Sequence, residues 1–218
     1  MAIRAFIFDL DGVLVDTAKY HFNAWQRLAN SIGVDFTIED NEKLKGLSRE
    51  DSFDLILKWG NKSMPAEEKQ EKMLLKNDWY LEMVKAMDAS EILPGISAFM
   101  DEARAMGIKM ALGSASRNAP LILEKTGLIQ YFEAVIDGNQ TTKSKPDPQV
   151  FLLGAKALGV NPQEAVVFED SEAGIEAAIT GGFKTVGIGI PENLPKAEIL
   201  FTNLENITPK QIISKLTP

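Results

Sequence analysis

The sequence contains no cysteine, only one histidine and no cluster of basic residues. Without cysteine the chain has no disulfide bonds and no thiolate metal ligands. A net charge of −8 at pH 7 disfavours nucleic acid as a partner. No apolar stretch reaches the roughly 18 residues of a membrane span, and the amino terminus leads directly into an apolar strand. We therefore expect a cytoplasmic protein with no signal peptide and no membrane partner.

The residues that are present have the composition of an ordinary globular protein. Of 218 residues, 45% are hydrophobic and 25% are charged. From residue 94 onward, apolar runs alternate with helical patterns, which predicts an α/β fold with a Rossmann-like, doubly wound parallel sheet. The predicted strands cover residues 5–8, 108–112, 134–136, 165–168, 185–188 and 199–201.

The segment 15–93 has a different character, because it shows helical periodicity and no strand pattern. Its length suits a small insertion placed after the first strand. We therefore predict a core domain of residues 1–14 and 94–218 and an all-helical cap domain of residues 15–93. The helices predicted in this insertion cover residues 18–32, 41–45, 48–59 and 65–87.

Two aspartates follow the first strand at once. Asp9 and Asp11 stand at the carboxyl end of a buried parallel strand, the edge at which open α/β sheets bind ligands. Ionised carboxylates at a buried edge need a cation or another partner, and Mg²⁺ prefers oxygen ligands of this kind. The alternative is that both are polar turn residues at the end of a strand.

Other polar residues follow later strands. Ser114 and Ser116 follow the second, Lys145 opens a later helix, and Glu169 and Asp170 follow another strand. Singly, the serines or the acidic pair would be helix caps and Lys145 a solvated turn residue. Since the carboxyl ends of parallel strands share one crevice, the set together predicts a site for Mg²⁺ and a phosphoryl group.

The string Asp-Leu-Asp-Gly-Val-Leu-Val-Asp-Thr at 9–17 resembles the signature of the haloacid dehalogenase superfamily, and the later motifs follow in the superfamily's order. The resemblance implies a core of that superfamily's fold and one Mg²⁺ per chain. The roles that it implies are Asp9 as nucleophile, Asp11 as general acid and base, Ser114 and Lys145 as phosphate-binding groups, and Asp9, Asp11, Glu169 and Asp170 as the metal site.

The insertion decides between a hydrolase and a mutase. A mutase that moves phosphate between two hydroxyls needs a second phosphate site and must exclude water. Arg49, at a predicted helix start beside Gly46 and Ser52, suits such a site, although an exposed first-turn arginine is the common alternative. Judged alone, His21 is a structural residue and Lys76 a solvated one.

Within the superfamily, nearly the whole chain is similar to the β-phosphoglucomutases. That similarity implies interconversion of β-D-glucose 1-phosphate and D-glucose 6-phosphate by a monomer, through β-glucose 1,6-bisphosphate as intermediate and activator. His21 and Lys76 would couple substrate binding to cap closure. Arg117 in place of a lysine and the loop 138–140 depart from the pattern. The implied substrate-binding residues are Thr17, His21, Trp25, Gly46, Leu47, Arg49, Ser52, Lys76, Ser116, Arg117 and Asn118.

Three alternatives remain open from the sequence. A sugar-phosphate phosphatase of the same superfamily would share every core residue. A non-catalytic protein with this fold would not need to keep Asp9, Asp11 and Lys145 together. A dehalogenase acting on carbon would need no Mg²⁺. The acidic residues 169–170 would then have no metal to bind, which disfavours this alternative.

Overall fold

The computed structural model describes residues 2–217 and contains one six-stranded parallel sheet. The predicted α/β, doubly wound fold is confirmed. The strand order is β3-β2-β1-β4-β5-β6, so β1 lies between β2 and β4 at the point where the winding reverses. The strands are β1 (Ala5–Phe8), β2 (Lys109–Gly113), β3 (Ala134–Ile136), β4 (Ala165–Glu169), β5 (Lys184–Ile188) and β6 (Ile199–Phe201).

Nine α-helices accompany these strands in the described residues. Four of them lie between β1 and the next helix of the sheet domain, and none of the helices within 2–217 is long and apolar enough to cross a membrane. The helices are α1 (Ala18–Ser31), α2 (Ile38–Glu42), α3 (Arg49–Trp59), α4 (Ala66–Val84), α5 (Ile96–Ala105), α6 (Ala119–Thr126), α7 (Gln149–Leu158), α8 (Glu172–Thr180) and α9 (Pro209–Leu216).

The central strand β1 is buried on both faces, which explains its unbroken apolar run. Because side chains alternate along a strand, Phe6 and Phe8 face one layer of helices and Ile7 faces the other. Phe8 stacks on Phe168 of β4 with ring centroids 4.6 Å apart. This packing fixes β1 and β4 side by side, so the residues that follow them are neighbours.

The helices α1 to α4 form an insertion with its own hydrophobic cluster, which includes Trp25 and Phe53. The two segments that connect the insertion to the sheet are hydrogen-bonded to each other. The Asp16 N–H donates to the Glu91 carbonyl (2.9 Å), and the Leu93 N–H donates to the Leu14 carbonyl (3.0 Å). Tyr80 at the end of α4 is buried in the main core cluster. The insertion therefore packs against the sheet domain as well as on itself.

Two helix predictions in the insertion need correction. The predicted helix 41–45 begins earlier and ends at Glu42, because Thr37 and Asp40 form a capping box that starts α2. The predicted helix 65–87 is shorter at its end, as α4 finishes at Val84. The helix at 48–59 is confirmed, and the Ser48 side chain accepts the Asp51 N–H as its N-cap.

Candidate active site

The carboxyl ends of the strands open into one cavity. Asp9 follows β1, Ser114 follows β2 and Asp170 follows β4, each by one residue. A cavity of about 1030 Å³ lies between this edge and the helical insertion. Of the predicted site residues, only Thr17 and Glu169 do not line it.

Lys145 is the central cation at this end of the cavity. Its Nζ lies 2.5 Å from Asp9 Oδ1 and 2.5 Å from Glu169 Oε1, and the residue is almost fully buried. Burial alone would lower the pKa of the Lys145 ammonium, but the carboxylates of Asp9 and Glu169 outweigh it and raise the pKa. Lys145 therefore stays charged and is not a solvated turn residue.

Asp9 is a buried carboxylate with one oxygen on this lysine. Its backbone N–H donates to the Phe168 carbonyl of the neighbouring strand (2.9 Å), which holds the residue at the sheet edge. Burial raises the pKa of Asp9 well above its usual value; Lys145 opposes this and Glu169 adds to it. Asp9 thus depends on nearby cations to remain ionised.

Glu169 lies behind Lys145. Its second oxygen accepts from the Ser171 N–H (2.7 Å) and the Ser171 hydroxyl (2.8 Å). The Ser171 hydroxyl oxygen also accepts from the Gly174 N–H as the N-cap of α8. Both Glu169 oxygens are therefore occupied by the chain itself, which explains why Glu169 does not reach the cavity.

Asp170 faces the insertion. Its Oδ2 lies 2.9 Å from Nζ of Lys45, which stands in the segment before α3. Burial raises the pKa of Asp170 to about 7, although Lys45 opposes that shift. Gly12 has a φ of +83°, and a Cβ there would overlap the carboxylate of Asp170, so a larger residue at this position would be strained.

The donor chemistry at Asp9 and Asp170 fits a hard divalent cation. Asp9 is buried and the Asp170 side chain is only 7% exposed, both carboxylates follow adjacent strands, and both need positive charge beside them. Within residues 2–217, no three acidic or histidine side chains form a metal-binding group. Mg²⁺ commonly takes only one or two carboxylates and keeps waters or substrate phosphate, so this donor set suits it better than a cation that needs a complete protein cage.

A fourth carboxylate, Asp11, is surrounded by side chains from the insertion. The Thr17 hydroxyl donates to Asp11 Oδ1, and His21 Nε2 lies 3.7 Å from the same oxygen. Burial is the largest influence on Asp11 and would raise its pKa, but the interactions with His21 and Thr17 together lower it. Thr17 is completely buried behind Asp11, so it contacts the Asp11 carboxylate and does not face the cavity.

Lys76 of α4 completes this group. Its Nζ lies 3.3 Å from His21 Nδ1 and 4.4 Å from the Trp25 ring centroid. An ammonium donates to Nδ1, which assigns the histidine proton to Nε2, on the Asp11 side. Only 3% of Lys76 is exposed, and burial lowers its pKa to about 7, with the nearby Arg49 charge adding to the effect.

The far end of the cavity carries two arginines. Arg49 Nη2 donates to Asn77 Oδ1 at 2.7 Å, and Asn118 Nδ2 donates to the same oxygen at 3.0 Å. Arg117 Nη2 lies 2.9 Å from Glu50 Oε1 in a half-exposed pair. These contacts join the loop after β2 to the insertion and place a second positive region opposite Lys145.

The two serines after β2 are held by the backbone of their own loop. The Ser116 N–H donates to Ser114 Oγ (3.1 Å), and the Asn118 N–H donates to Ser116 Oγ (3.3 Å). In both bonds the hydroxyl oxygen is the acceptor, so each hydroxyl can still donate its proton to an anion in the cavity.

The segment before α3 closes the cavity from the insertion side. Gly46 has a φ of +77°, and a Cβ there would lie 2.9 Å from Ser171 Oγ. The Ser48 N–H donates to Ser144 Oγ (3.1 Å) across the same gap. Leu47 lines the cavity between them, while the Ser52 hydroxyl donates to the Ser48 carbonyl inside the helix.

Sequence reasoning did not assign a role to Lys45, Asn77 or Ser144, which the structure places at this site. Each is the direct neighbour in sequence of a predicted site residue, namely Gly46, Lys76 and Lys145. Adjacency was the available signal, but periodicity does not tell which of two neighbours turns inward.

Comparison with known proteins agrees with this arrangement. A family model described as haloacid dehalogenase-like hydrolase matches residues 3–182. A β-phosphoglucomutase from Bacillus subtilis is 39% identical over 208 residues, which is 94% of this chain and 92% of that protein. A phosphorylated carbohydrates phosphatase from Thermotoga maritima is 30% identical over 98% of both chains.

A solved structure gives the same picture of the whole fold. The crystal structure of a β-phosphoglucomutase from Clostridium difficile superimposes with a TM-score of 0.95 at 40% sequence identity. The match covers 98% of this chain and 97% of that one. Sheet and helical insertion therefore occur together, in this arrangement, in a relative whose sequence differs at most positions.

Proposed function

The chain belongs to the haloacid dehalogenase-like hydrolase family, and on that premise we propose that it is a β-phosphoglucomutase. The observation that carries the proposal is that two separate cationic regions line one cavity. Lys145 stands at the strand ends, and Arg49 with Arg117 stands at the far end. A sugar bisphosphate has a phosphate at each end, so both regions are needed for an intermediate of that kind.

Asp9 is the nucleophile in this proposal. One carboxylate oxygen attacks the phosphorus of β-glucose 1,6-bisphosphate, the sugar oxygen leaves, and an aspartyl phosphate forms. Lys145, 2.5 Å from Asp9, and the hydroxyl of Ser114 hold the non-bridging phosphate oxygens. These groups are already fixed by their own contacts, so little reorganisation accompanies the transfer.

Mg²⁺ would be held by the carboxylates of Asp9 and Asp170 and the main-chain carbonyl of Asp11. When bound, it would neutralise negative charge between the Asp9 carboxylate and the substrate phosphate. Within the chain itself, Lys45 forms an ion pair with Asp170, and Lys145 forms one with Asp9. Glu169, fully engaged by Lys145 and Ser171, keeps Lys145 in place.

Asp11 is the general acid and base. It gives a proton to the departing sugar oxygen and takes one from the hydroxyl that attacks next. Thr17 and His21 hold its carboxylate, and Lys76 holds His21. Because all three side chains belong to the insertion, the acid is in position only when the insertion lies against the sheet domain.

The second phosphate would be held by Arg49, Arg117, Asn118 and Ser116. The intermediate turns over between two transfers, so each phosphate occupies each end in turn. Trp25, Gly46, Leu47 and Ser52 line the wall of the cavity between the ends.

We extend the proposal to the organisation of the chain. The insertion has a separate hydrophobic cluster around Trp25 and Phe53, which supports a cap domain of residues 15–93 on a core of 1–14 and 94–218. We also propose that the chain acts as a monomer, as its similarity to the β-phosphoglucomutases implies. A cytoplasmic sugar-phosphate enzyme is the setting that agrees with these proposals.

The test is a coupled assay on β-glucose 1-phosphate with Mg²⁺ and a trace of the bisphosphate. Glucose 6-phosphate and free phosphate are followed together. We expect glucose 6-phosphate with little free phosphate, and Asp9→Asn should abolish the reaction. Free phosphate at an equal or greater rate would instead make the chain a sugar-phosphate phosphatase, as the Thermotoga maritima relative is named.

Arg49→Ala separates the two functions further. Loss of the distal guanidinium should lower mutase flux by about a hundredfold, because a bond to a charged group contributes roughly 1.5–3 kcal/mol. Hydrolysis of a small aryl phosphate, which has no distal group, should change by less than about twofold. Lys58→Ala, an exposed site on the same helix, is the control. Equal losses on both substrates would contradict the assignment of Arg49.

A further inference from the structure

The side chain of Asn77 lies between two donors, one from the helical insertion and one from the sheet domain. Its Oδ1 accepts from Arg49 Nη2 at 2.7 Å and from Asn118 Nδ2 at 3.0 Å. Arg49 begins α3 in the insertion, whereas Asn118 precedes α6 beside the sheet. One oxygen therefore joins the insertion and the sheet domain at the far end of the cavity.

We propose that Asn77 is a positioning residue for the second phosphate site. It holds the Arg49 guanidinium and the Asn118 amide in one fixed arrangement, so that both present their remaining N–H groups to the same phosphate. The inference rests on the proposed function, because it assumes that a phosphate is seated there. In this proposal Asn77 does not contact the phosphate itself. It contacts the side chains that bind the phosphate.

The chemistry of the amide suits this task. A carbonyl oxygen has two lone pairs, and here each receives one donor. In the part of the chain that the structure describes, no acidic side chain lies within ion-pair distance of Arg49, whereas Arg117 is paired with Glu50. A neutral acceptor orients Arg49 without cancelling its charge, so the charge remains available to an anion.

The helix that carries Asn77 is firmly placed. The preceding residue, Lys76, is buried against His21 and Trp25, and Tyr80, three residues further on, is 1% exposed in the main core. Side chains three apart lie on the same side of a helix, so these anchors fix the direction of Asn77. The same helix thus connects the Asp11 end of the cavity with its far end.

The experiment compares two replacements of Asn77 with one control. Asn77→Leu keeps the approximate shape and removes the acceptor, while Asn77→Asp keeps the acceptor and adds a negative charge. Asn30→Leu, on an exposed position of α1, is the control for the substitution itself. Each variant is measured with β-glucose 1-phosphate plus bisphosphate and, separately, with a small aryl phosphate.

We expect Asn77→Leu to raise the KM for the bisphosphate by about tenfold or more, since orientation of a charged donor is lost. Asn77→Asp should raise it at least as much, because its carboxylate neutralises Arg49 and repels phosphate. Neither variant should change aryl phosphate hydrolysis by more than about twofold, and Asn30→Leu should match the wild type on both substrates. A role in folding alone would lower both activities together and would overturn the inference.

A double-mutant cycle tests whether Asn77 affects the KM through Arg49. If Asn77 acts through Arg49, Asn77→Leu should cost far less in an Arg49→Ala background than in the wild type. Full additivity would contradict the positioning role. Failure of the proposed function would be a separate result. If the wild-type enzyme releases mainly free phosphate, the proposed mutase function is wrong. If the wild type is a mutase and Asn77→Leu leaves the KM unchanged, only the inference about Asn77 is wrong.

Discussion

At the scale of single residues, Lys76 shows how burial changes what a side chain can do. A lysine on a long, mostly polar helix is ordinarily solvated, yet here 3% of the residue is exposed and its ammonium lies between His21 and two aromatic rings. Within the described residues it makes no ion pair. Burial lowers its pKa to about 7, so the folded protein binds this proton less tightly than the unfolded chain.

This shift predicts a pH dependence of stability. Below pH 7 Lys76 is charged in both states, and the cost of burying the charge is fully present. Between pH 7 and about 10.5 the unfolded chain binds more protons than the folded protein, so the free energy of unfolding rises with pH. Lys76→Met should therefore stabilise the protein near pH 6, by an amount on the order of 4 kcal/mol, and the gain should shrink toward pH 10.

Denaturant unfolding at several pH values checks this prediction. Lys72→Met, one turn earlier on α4, is the matched control and should show no pH-dependent gain. A constant difference between Lys76→Met and the wild type across the range would show that Lys76 is not buried with a lowered pKa. Mutase activity of Lys76→Met should fall, because His21 then loses the group that orients it toward Asp11.

At the scale of elements, the segment before α3 meets the sheet domain through backbone rather than bulky side chains. Gly46 approaches Ser171 so closely that a Cβ would lie 2.9 Å from its hydroxyl oxygen and 3.4 Å from Lys145 Cδ. The Ser48 N–H reaches Ser144 Oγ beside it. This close approach places the insertion over Lys145, where in the proposed mechanism it would keep water from the aspartyl phosphate.

Gly46→Ala tests the importance of this approach. Gly107 has a similar φ, +74°, but a Cβ there meets nothing within 4 Å, so Gly107→Ala carries the backbone cost alone. Both variants should lose about 1 kcal/mol of stability from the left-handed backbone. Only Gly46→Ala should also lower kcat/KM for the sugar phosphate, by about tenfold or more. Equal activities of the two variants would show that the contact is not needed for closure.

At the scale of the whole molecule, the chain is acidic, with a net charge of −8, and it collects carboxylates at one sheet edge. Asp9 and Asp170 are both buried there, and two lysines neutralise them, one from each side of the cavity. A divalent cation that binds only the folded state would add stability through linkage. The same contacts tie the insertion to the sheet domain.

Mg²⁺ should therefore raise the midpoint of thermal unfolding. At about 100 times the dissociation constant the gain is about 2.7 kcal/mol, or roughly 5–10 °C for a chain of this size. Asp170→Asn should abolish most of the shift, and Lys45→Met, which removes the competing ammonium, should enlarge it. Asp35→Asn, an exposed site, is the control. An equal shift with NaCl of the same ionic strength would argue against a specific site.

Local patterns in the sequence were enough to predict the strands and the acidic residues at their ends. Apolar runs located the strands, because a buried strand needs several consecutive apolar residues. The position of Asp9 and Asp170 directly after such runs was enough to predict a shared acidic site, since parallel strand ends lie on one edge. Helix α2 was displaced because its start depends on the Thr37 capping box rather than on periodicity.

The tertiary structure alone decided which side chains meet across the cavity. Lys45 reaches Asp170 over 125 positions of sequence, and Asn77 reaches Asn118 over 41. Lys76 is buried because α1 and α4 pack together, which nothing in its neighbouring residues records. Local propensity reports on contacts within a turn or a strand, whereas these pairings depend on how separate elements pack, and that packing exists only in the folded chain.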